Sequence, residues 1–406
     1  MEWKKHRLRD LALSIQTGPF GSQLHQADYS DSGIPVIMPK DMINGKVETN
    51  DIARVSDIHV QRLKRHKVKS GDIIYSRRGD VGRCSLITER EEGWLCGTGC
   101  LKVALDKSKC VPSFIAFILQ RKDSIGWVEN HAVGATMPNL NTGILSNLPL
   151  IIPTFEEQGR IASILSAYDN LIENNNRRIR LLEQMAENLY KEWFVRFRFP
   201  GHEKAEFENG LPKGWREEVA SNVIDVMSGG TPKTEREEFY GGEIPFFTPK
   251  DADDSIFVYS TITNITEEGL AHCNSQYYPV NTLMITARGT VGKLSLLAVP
   301  MAMNQSCFAL SFKDRKNPYY LYYSIKNEVS KLKKMANGGV FDTIIVKTFD
   351  HIKVILPHND VLDIYDKTVS PILSQIQHLQ RQSSLLARQR DLLLPRLMSG
   401  KLEVNI

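Results

Sequence analysis

The chain has 406 residues, 42% apolar and 24% charged. That composition is globular, and the length exceeds the ~250 residues one core normally supports, so more than one domain is expected. A formal charge of +4 and a pI of about 8.6 admit a polyanionic partner without requiring one. Met1-Glu2-Trp3-Lys4-Lys5-His6-Arg7 leads into no apolar signal region, and no apolar run approaches the ~20 residues of a membrane span, so a cytoplasmic protein without membrane contact is expected.

The six cysteines, Cys84, Cys96, Cys100, Cys110, Cys273 and Cys307, read as reduced thiols and not as a disulfide framework. Only Cys96 and Cys100 lie close together, and without a second ligand pair at zinc spacing no metal site is expected.

The first globular stretch favours short strands. Gly71 to Ser76 and Cys84 to Ile87 flank the turn Arg78-Gly79-Asp80-Val81-Gly82, which reads as a hairpin. Pro112 opens a helix expected to run to Arg121, and Leu148 to Pro153 is an apolar strand ending in proline. A long helix then starts at Thr154, which with Glu157 makes a capping box, and runs to about Phe197, where Pro200-Gly201 stops it. His202 to Asn209 is expected to be a linker.

The remainder repeats this order. Gly214-Trp215 echoes Trp3 at an offset of 212. Ile244-Pro245, Pro249-Lys250-Asp251 and Arg288-Gly289-Thr290-Val291-Gly292 echo Ile34-Pro35, Pro39-Lys40-Asp41 and the first hairpin turn at 210. Cys307 echoes Cys100 at 207, and from Gly338 against Gly134 to Leu385-Leu386 against Leu181-Leu182 the offset holds at 204. A stepwise fall followed by a constant value is what loop-length changes inside a domain followed by a rigid helix produce. Leu283 to Thr286 with Leu294 to Leu297 is the second hairpin, Pro318 to Lys333 the second short helix, and Ile352 to Pro357 the second proline-ended strand. Pro371 is either a restart or a kink of the second long helix, which Pro395 and Gly400 end.

Both long helices carry a heptad seam. Ile161, Leu165, Tyr168, Ile172, Asn175, Ile179, Leu182, Ala186, Leu189 and Trp193 form the first, and Tyr365, Val369, Ile372, Ile376, Leu379, Ser383, Leu386, Arg390, Leu393 and Leu397 the second. Asn175, Ser383 and Arg390 are polar breaks placed to fix register. Forty-odd helical residues make a rod of ~60 Å. Parallel packing would oblige the second globular half to bridge that length, so antiparallel packing is expected. The fold class is therefore α+β: two pseudo-two-fold-related mixed α/β domains with mainly antiparallel sheets, separated by a long antiparallel two-helix coiled coil.

With that organisation, the chain resembles the specificity subunits of type I restriction-modification systems, the HsdS family. Arg388 to Leu402 is similar to the family's carboxy-terminal run, Glu156-Glu157-Gln158 with Ile161 and Leu165 to the opening of its central helix, and Gly210 to Trp215 to the lead into its second recognition domain. Asn359-Asp360-Val361 departs from the family's Glu-Gln pair at the second helix start. The resemblance divides the chain into a first target-recognition domain (1–153), a central spacer helix (154–199), a second target-recognition domain (200–357) and a C-terminal spacer helix with tail (358–406).

It further implies that each domain reads one half of a bipartite, asymmetric site on double-stranded DNA while the helices set the unread spacer. Two modification (methyltransferase) subunits and restriction (endonuclease/translocase) subunits would be the protein partners. S-adenosylmethionine, ATP and Mg2+ would sit on those partners, with no cofactor, metal or catalytic residue in this chain. The sequence is consistent with that division: it has no Asn-Pro-Pro-aromatic motif, Walker A loop or nuclease carboxylate set. The rival reading is a non-catalytic coiled-coil scaffold that binds proteins and not DNA.

Turns that recur in both halves are the candidate DNA contacts. Thr17, Gly18, Phe20, Gly21 and Ser22 correspond to Gly229, Gly230, Thr231 and Lys233, which offer backbone N–H groups and hydroxyls, although glycine turns also exist merely to turn. Lys40 and Lys250 suit phosphate. Arg77, Arg78 and Arg288, with Gly79 and Gly289, suit guanine, or else solvent and ion pairs. Asn304 and Gln305 carry amides that fit adenine or satisfy backbone groups, and Thr136, Gly338 and Gly339 complete the set. The basic run Arg62, Lys64, Arg65, Lys67, Lys69 with His59 and His66 either lines the duplex or is a solvated face. Arg177, Arg178, Glu183 and Phe194 are outward helix positions that could dock partner subunits, while the aromatic cluster Trp193-Phe194-Phe197 at the helix end is more often a domain-packing cap than a docking site.

Overall fold

The computed structural model describes residues 3–134, 138–314, 316–335, 343–400 and 402. They fall into two compact units, Met1–Ile172 with Leu385–Ile406, and Glu173–Ser384. Each long helix therefore contributes one half to each unit.

In the first unit, strands Ala12–Thr17, Cys100–Leu105, Ile73–Ser76 and Cys84–Leu86 form an antiparallel sheet in that spatial order. Side chains alternate across it as strand geometry requires. Ile73, Tyr75, Leu101 and Val103 enter the core beneath the helices, whereas Ile74 and Cys100 enter a separate core with Ile37, Met42 and Val47. Cover on both faces explains why these strands read as unbroken apolar runs. A smaller sheet, Leu95–Cys96, Ile34–Ile37, Arg54–Val55 and Tyr29–Ser30, contains one parallel pair.

The second unit repeats this plan with Ile224–Ser228, Cys307–Phe312, Leu283–Thr286 and Leu294–Leu297, and adds Phe257–Val258 in parallel at the edge. Leu283 and Ile285 again face the helix-side core and Met284 the other. The repeat extends to single registers. Leu101 lies opposite Tyr75 and Thr17, and Phe308 opposite Ile285 and Ser228. Lys4 pairs with Ile152 as Arg216 pairs with Leu356, and Leu95 pairs with Val36 as Ala302 pairs with Phe246. Each pair is related by the offsets visible in the sequence, so the duplication is one of hydrogen-bond register as well as of residue type.

The central helix spans Phe155–Tyr190 and the C-terminal helix Asn359–Leu397, the latter passing through Pro371 without interruption. Thr154 and Glu157 form the expected capping box, with the Glu157 carboxylate accepting from the Thr154 N–H at 3.2 Å and its hydroxyl at 2.9 Å. Within each unit the two helices run antiparallel. Asp169 accepts from Arg390 Nη1 at 2.6 Å while Ile161 and Leu165 share a core with Leu397 in the first unit. In the second, Asn175 Nδ2 donates to Gln382 Oε1 at 2.9 Å and Phe194 packs 4.9 Å from Tyr365. Asn175 and Arg390 are thus register pairs; Ser383 is not, because its buried hydroxyl meets no hydrogen-bond partner among the described residues.

Four local expectations need correction. The central α-helix ends at Tyr190 and continues as a π turn over Lys191–Val195, where Arg196 N reaches back to Lys191 O at 2.9 Å. The wider turn inserts Trp193 and Phe194 into a ring of Tyr190, Trp215, Tyr320 and Tyr365. Phe194 is only 1% exposed, so it is a packing residue and not an outward docking position. Glu183 is half-buried too, and burial raises its carboxyl above the usual range, leaving Arg177 and Arg178 as the exposed members of that group. The supposed linker contains a hairpin, Phe207–Glu208 against Leu211–Pro212, closed by Asn209-Gly210 with both φ positive. The first short helix stops at Leu119, and a further helix, Lys122–His131, follows it.

Candidate nucleic-acid interface

The recurring turns converge within each unit. In the first, Gly18 N donates to Cys100 O at 2.9 Å, and a Cβ on Gly18 would lie 2.0 Å from Gly97 O. In the second, a Cβ on Gly229 would lie 2.3 Å from Asn304 O, the equivalent atom. These glycines are required by close backbone approach between two loops, which places the following residues, Phe20 and Thr231, beside the turn that precedes the second strand of each sheet.

That turn joins the others. Arg77 N donates to Gly99 O at 2.8 Å and Leu140 N to Arg77 O at 2.8 Å; the counterparts are Ala287 N to Ser306 O at 2.8 Å and Ile344 N to Ala287 O at 2.9 Å. Gly99 backs onto the Pro39 ring, and Thr290 Oγ1 donates to Pro249 O at 3.4 Å, so the Pro-Lys-Asp turn adjoins the hairpin assembly in both units. In sequence order each surface thus collects the Gly18 or Gly229 loop, the Lys40 or Lys250 turn, the Arg78-Gly79 or Arg288-Gly289 turn, and the loop at 97–99 or 304–306. Gly79 and Gly289 adopt φ of 73° and 78°, a left-handed conformation that an L side chain there would strain.

The acidic member of Pro-Lys-Asp serves the scaffold. Asp41 accepts from Met38 N at 2.8 Å, and Asp251 accepts from Thr248 N at 2.8 Å, Thr248 Oγ1 at 2.7 Å and Ile262 N at 2.7 Å. Burial raises the Asp41 carboxyl above its ordinary range. The lysines point outward: Lys40 Nζ donates to Asp51 O at 3.1 Å, and Lys250 and Lys233 are exposed. Arg78 and Arg288 are exposed at the tips of their turns, as are Gly21 and Ser22.

Other candidates are more constrained. Asn304 Oδ1 accepts from Ser306 N at 3.0 Å, which commits that oxygen to its own turn, and the Thr231 hydroxyl meets Gln305 Oε1. The basic run is dispersed. Arg62 Nη2 donates to Gln23 O at 2.9 Å, and His66 is 2% exposed with Nε2 accepting from Arg65 Nε at 2.9 Å. Burial pushes the His66 imidazole down to about 4, and the charges of Arg65 and Lys102 act in the same direction. Lys64, Arg65 and Lys69 remain exposed. Thr136, Gly338 and Gly339 lie outside the described residues.

The 97–99 turn is a member of this surface that sequence reasoning passed over. The offset of 207 that relates Cys100 to Cys307 also relates Gly97-Thr98 to Asn304-Gln305, and would have found it. Among the described residues no helix is long and apolar enough to cross a membrane.

Comparisons with known proteins agree with this architecture. The family model described as "Type I restriction modification DNA specificity domain" matches twice, over residues 1–184 and 212–384. The chain is 24% identical to the type I restriction enzyme HindI specificity subunit of Haemophilus influenzae, over 99% of this chain and 100% of that one. It is also 24% identical to the MjaIX specificity subunit of Methanocaldococcus jannaschii, over 100% and 94%. Its fold is similar to that of the type I restriction-modification S subunit from M. genitalium, with a TM-score of 0.62 at 18% identity over 98% of this chain and 96% of that chain. Two copies of one recognition scaffold, matched to the family over both, establish that this chain belongs to the type I restriction-modification DNA specificity family and is a specificity subunit.

Proposed function

We propose that each unit reads one half of a bipartite, asymmetric target on double-stranded DNA, and that the helices shared by the two units set the unread length between the halves. The observation that carries this reading is the conjunction of identical strand registers with different loop side chains. Phe20 and Thr231, Arg77 and Ala287, and Thr98 and Gln305 occupy equivalent backbone positions. Equal scaffolds bearing unequal side chains suit two related docking geometries with two different base preferences.

Recognition is the whole of this chain's task in that scheme. Methyl transfer falls to two modification subunits, one beside each unit, and cleavage to restriction subunits, with S-adenosylmethionine, ATP and Mg2+ held by those partners. The exposed Lys40, Lys250, Lys233, Arg78 and Arg288 supply phosphate contacts and base readout.

Binding of random duplex DNA at several salt concentrations, with and without modification subunits, tests the reading. Affinity should fall with salt with a slope of about −0.9 per phosphate neutralised. Salt-independent or undetectable binding in both states would refute it. Inserting one heptad into both long helices should lengthen the spacer and leave both half-sites intact; altered half-site bases would refute the assignment of spacing to the helices.

A further inference from the structure

We propose that Phe20 with Arg77 in the first unit and Thr231 with Gln305 in the second are the paired side chains that make the two half-sites different: the first reads a G·C pair and the second an A·T pair. The inference rests on the DNA-recognition reading and names its determinants.

Phe20 and Thr231 are equivalent by position, each two residues after a glycine, Gly18 or Gly229, that is pinned against the carbonyl of residue 97 or 304. Both therefore leave the same scaffold point. In the first unit Phe20 is 51% exposed, an unusual state for a large aromatic fixed in a turn; its N–H donates to Gln23 Oε1 at 3.1 Å and its carbonyl accepts from Gln23 N at 2.8 Å. The Arg77 guanidinium lies 5.7 Å from the centre of the Phe20 ring. Among the described residues neither a hydrogen bond nor an ion pair engages that guanidinium, and its Nε is buried without a partner. An arginine braced on an aromatic face and lacking acceptors is prepared for a planar, bidentate acceptor pair, which guanine O6 and N7 present in the major groove.

The second unit cannot make this arrangement, because Ala287 stands where Arg77 does. There the equivalent point carries Thr231, whose hydroxyl meets Gln305 Oε1 and fixes the orientation of the carboxamide. Gln305 is exposed; with one Oε1 lone pair engaged by Thr231, the second can accept from adenine N6–H while Nε2 donates to N7. A hydroxyl and carboxamide replace an aromatic and guanidinium at one location, so the scaffold is common and the chemistry is not.

The test is selection from a random duplex library by the full chain assembled with its modification subunits, comparing wild type with Arg77→Lys, Arg77→Ala and Gln305→Ala. Arg77→Ala should reduce discrimination at one G·C position of one half-site by about 5- to 150-fold, leaving the other half-site unchanged. Arg77→Lys keeps the charge but not the fork, so it should relax the same position with little loss of overall affinity, a result that separates base reading from misfolding. Gln305→Ala should relax one A·T position in the other half-site. Unchanged preferences in all three variants would overturn the inference while leaving the DNA-recognition reading intact, as would a uniform loss of affinity across sequences in Arg77→Ala and Arg77→Lys. A wild-type complex that selects no sequence would overturn both.

Discussion

Replacing Phe194 by alanine should destabilise the second unit substantially without a direct effect on assembly. The side chain is 1% exposed, and its ring centre lies 4.6 Å from Tyr320, 4.9 Å from Tyr365, 5.5 Å from Tyr190 and 5.9 Å from Trp215. Truncating a fully buried phenylalanine costs about 3 to 5 kcal/mol through lost burial and the cavity left behind. Lost edge-to-face pairings place this site toward the upper end of that range. At 2 to 4 °C per kcal/mol for a unit of roughly 200 residues, calorimetry should show a transition lowered by about 6 to 20 °C. Phe194→Leu, which refills part of the space, should recover a substantial part of the loss. If Phe194 were instead a docking residue, the alanine variant would keep its stability and lose affinity for modification subunits at temperatures well below unfolding. A destabilisation under about 1 kcal/mol together with impaired assembly would refute the packing argument.

Two other substitutions address the fold and the candidate interface. His66 is neutral when folded, with its pKa depressed to about 4, so between about pH 6.5 and 4 the unfolded chain binds the extra proton. Its contribution is therefore present above the unfolded value and is lost as pH falls through this window, by up to about 3 kcal/mol. His66→Gln should flatten that part of the stability profile in denaturant titrations at stepped pH; an unaltered profile would show that His66 does not generate the dependence. Gly229→Ala should push the Ser228 to Lys233 loop away from Asn304, since its Cβ would sit 2.3 Å from a backbone oxygen that cannot swing aside. Selection experiments should then show weakened recognition of one half-site only, by about tenfold or more for a displacement costing 1.4 kcal/mol or above. Equal weakening at both half-sites would count against independent readers.

The candidate interface was only partly legible in the sequence. Repeated turns marked the loops, because a backbone that must turn in the same place twice retains the same glycines and prolines. They could not reveal that Gly18 and Gly229 are required by a carbonyl some 80 residues away in the chain, nor that Asp41 and Asp251 cap their own turns. His66 looked like one more charge in the run from Arg62 to Lys69, but the long-range pairing of the sheet covers it, and Lys102 donates to the carbonyls of Arg65 and Lys67 at 3.0 and 2.7 Å. Phe194 looked like an outward residue because a regular heptad assigns it that face; a π turn changes the phase of the last helical turn and carries it into the core.

Residue order alone determined the duplication, the main hairpin, the short proline-opened helix and the proline-ended strand of each half, and the seams on the long helices. These depend on local periodicity and on offsets between segments, which a linear string records in full. Tertiary structure decided which repeated residues meet: Arg77 against Phe20, Thr231 against Gln305, Asp169 against Arg390, and Asn175 against Gln382. Those contacts join residues separated by 57 to 221 positions, and only the registers of the folded sheets and helices bring them within reach.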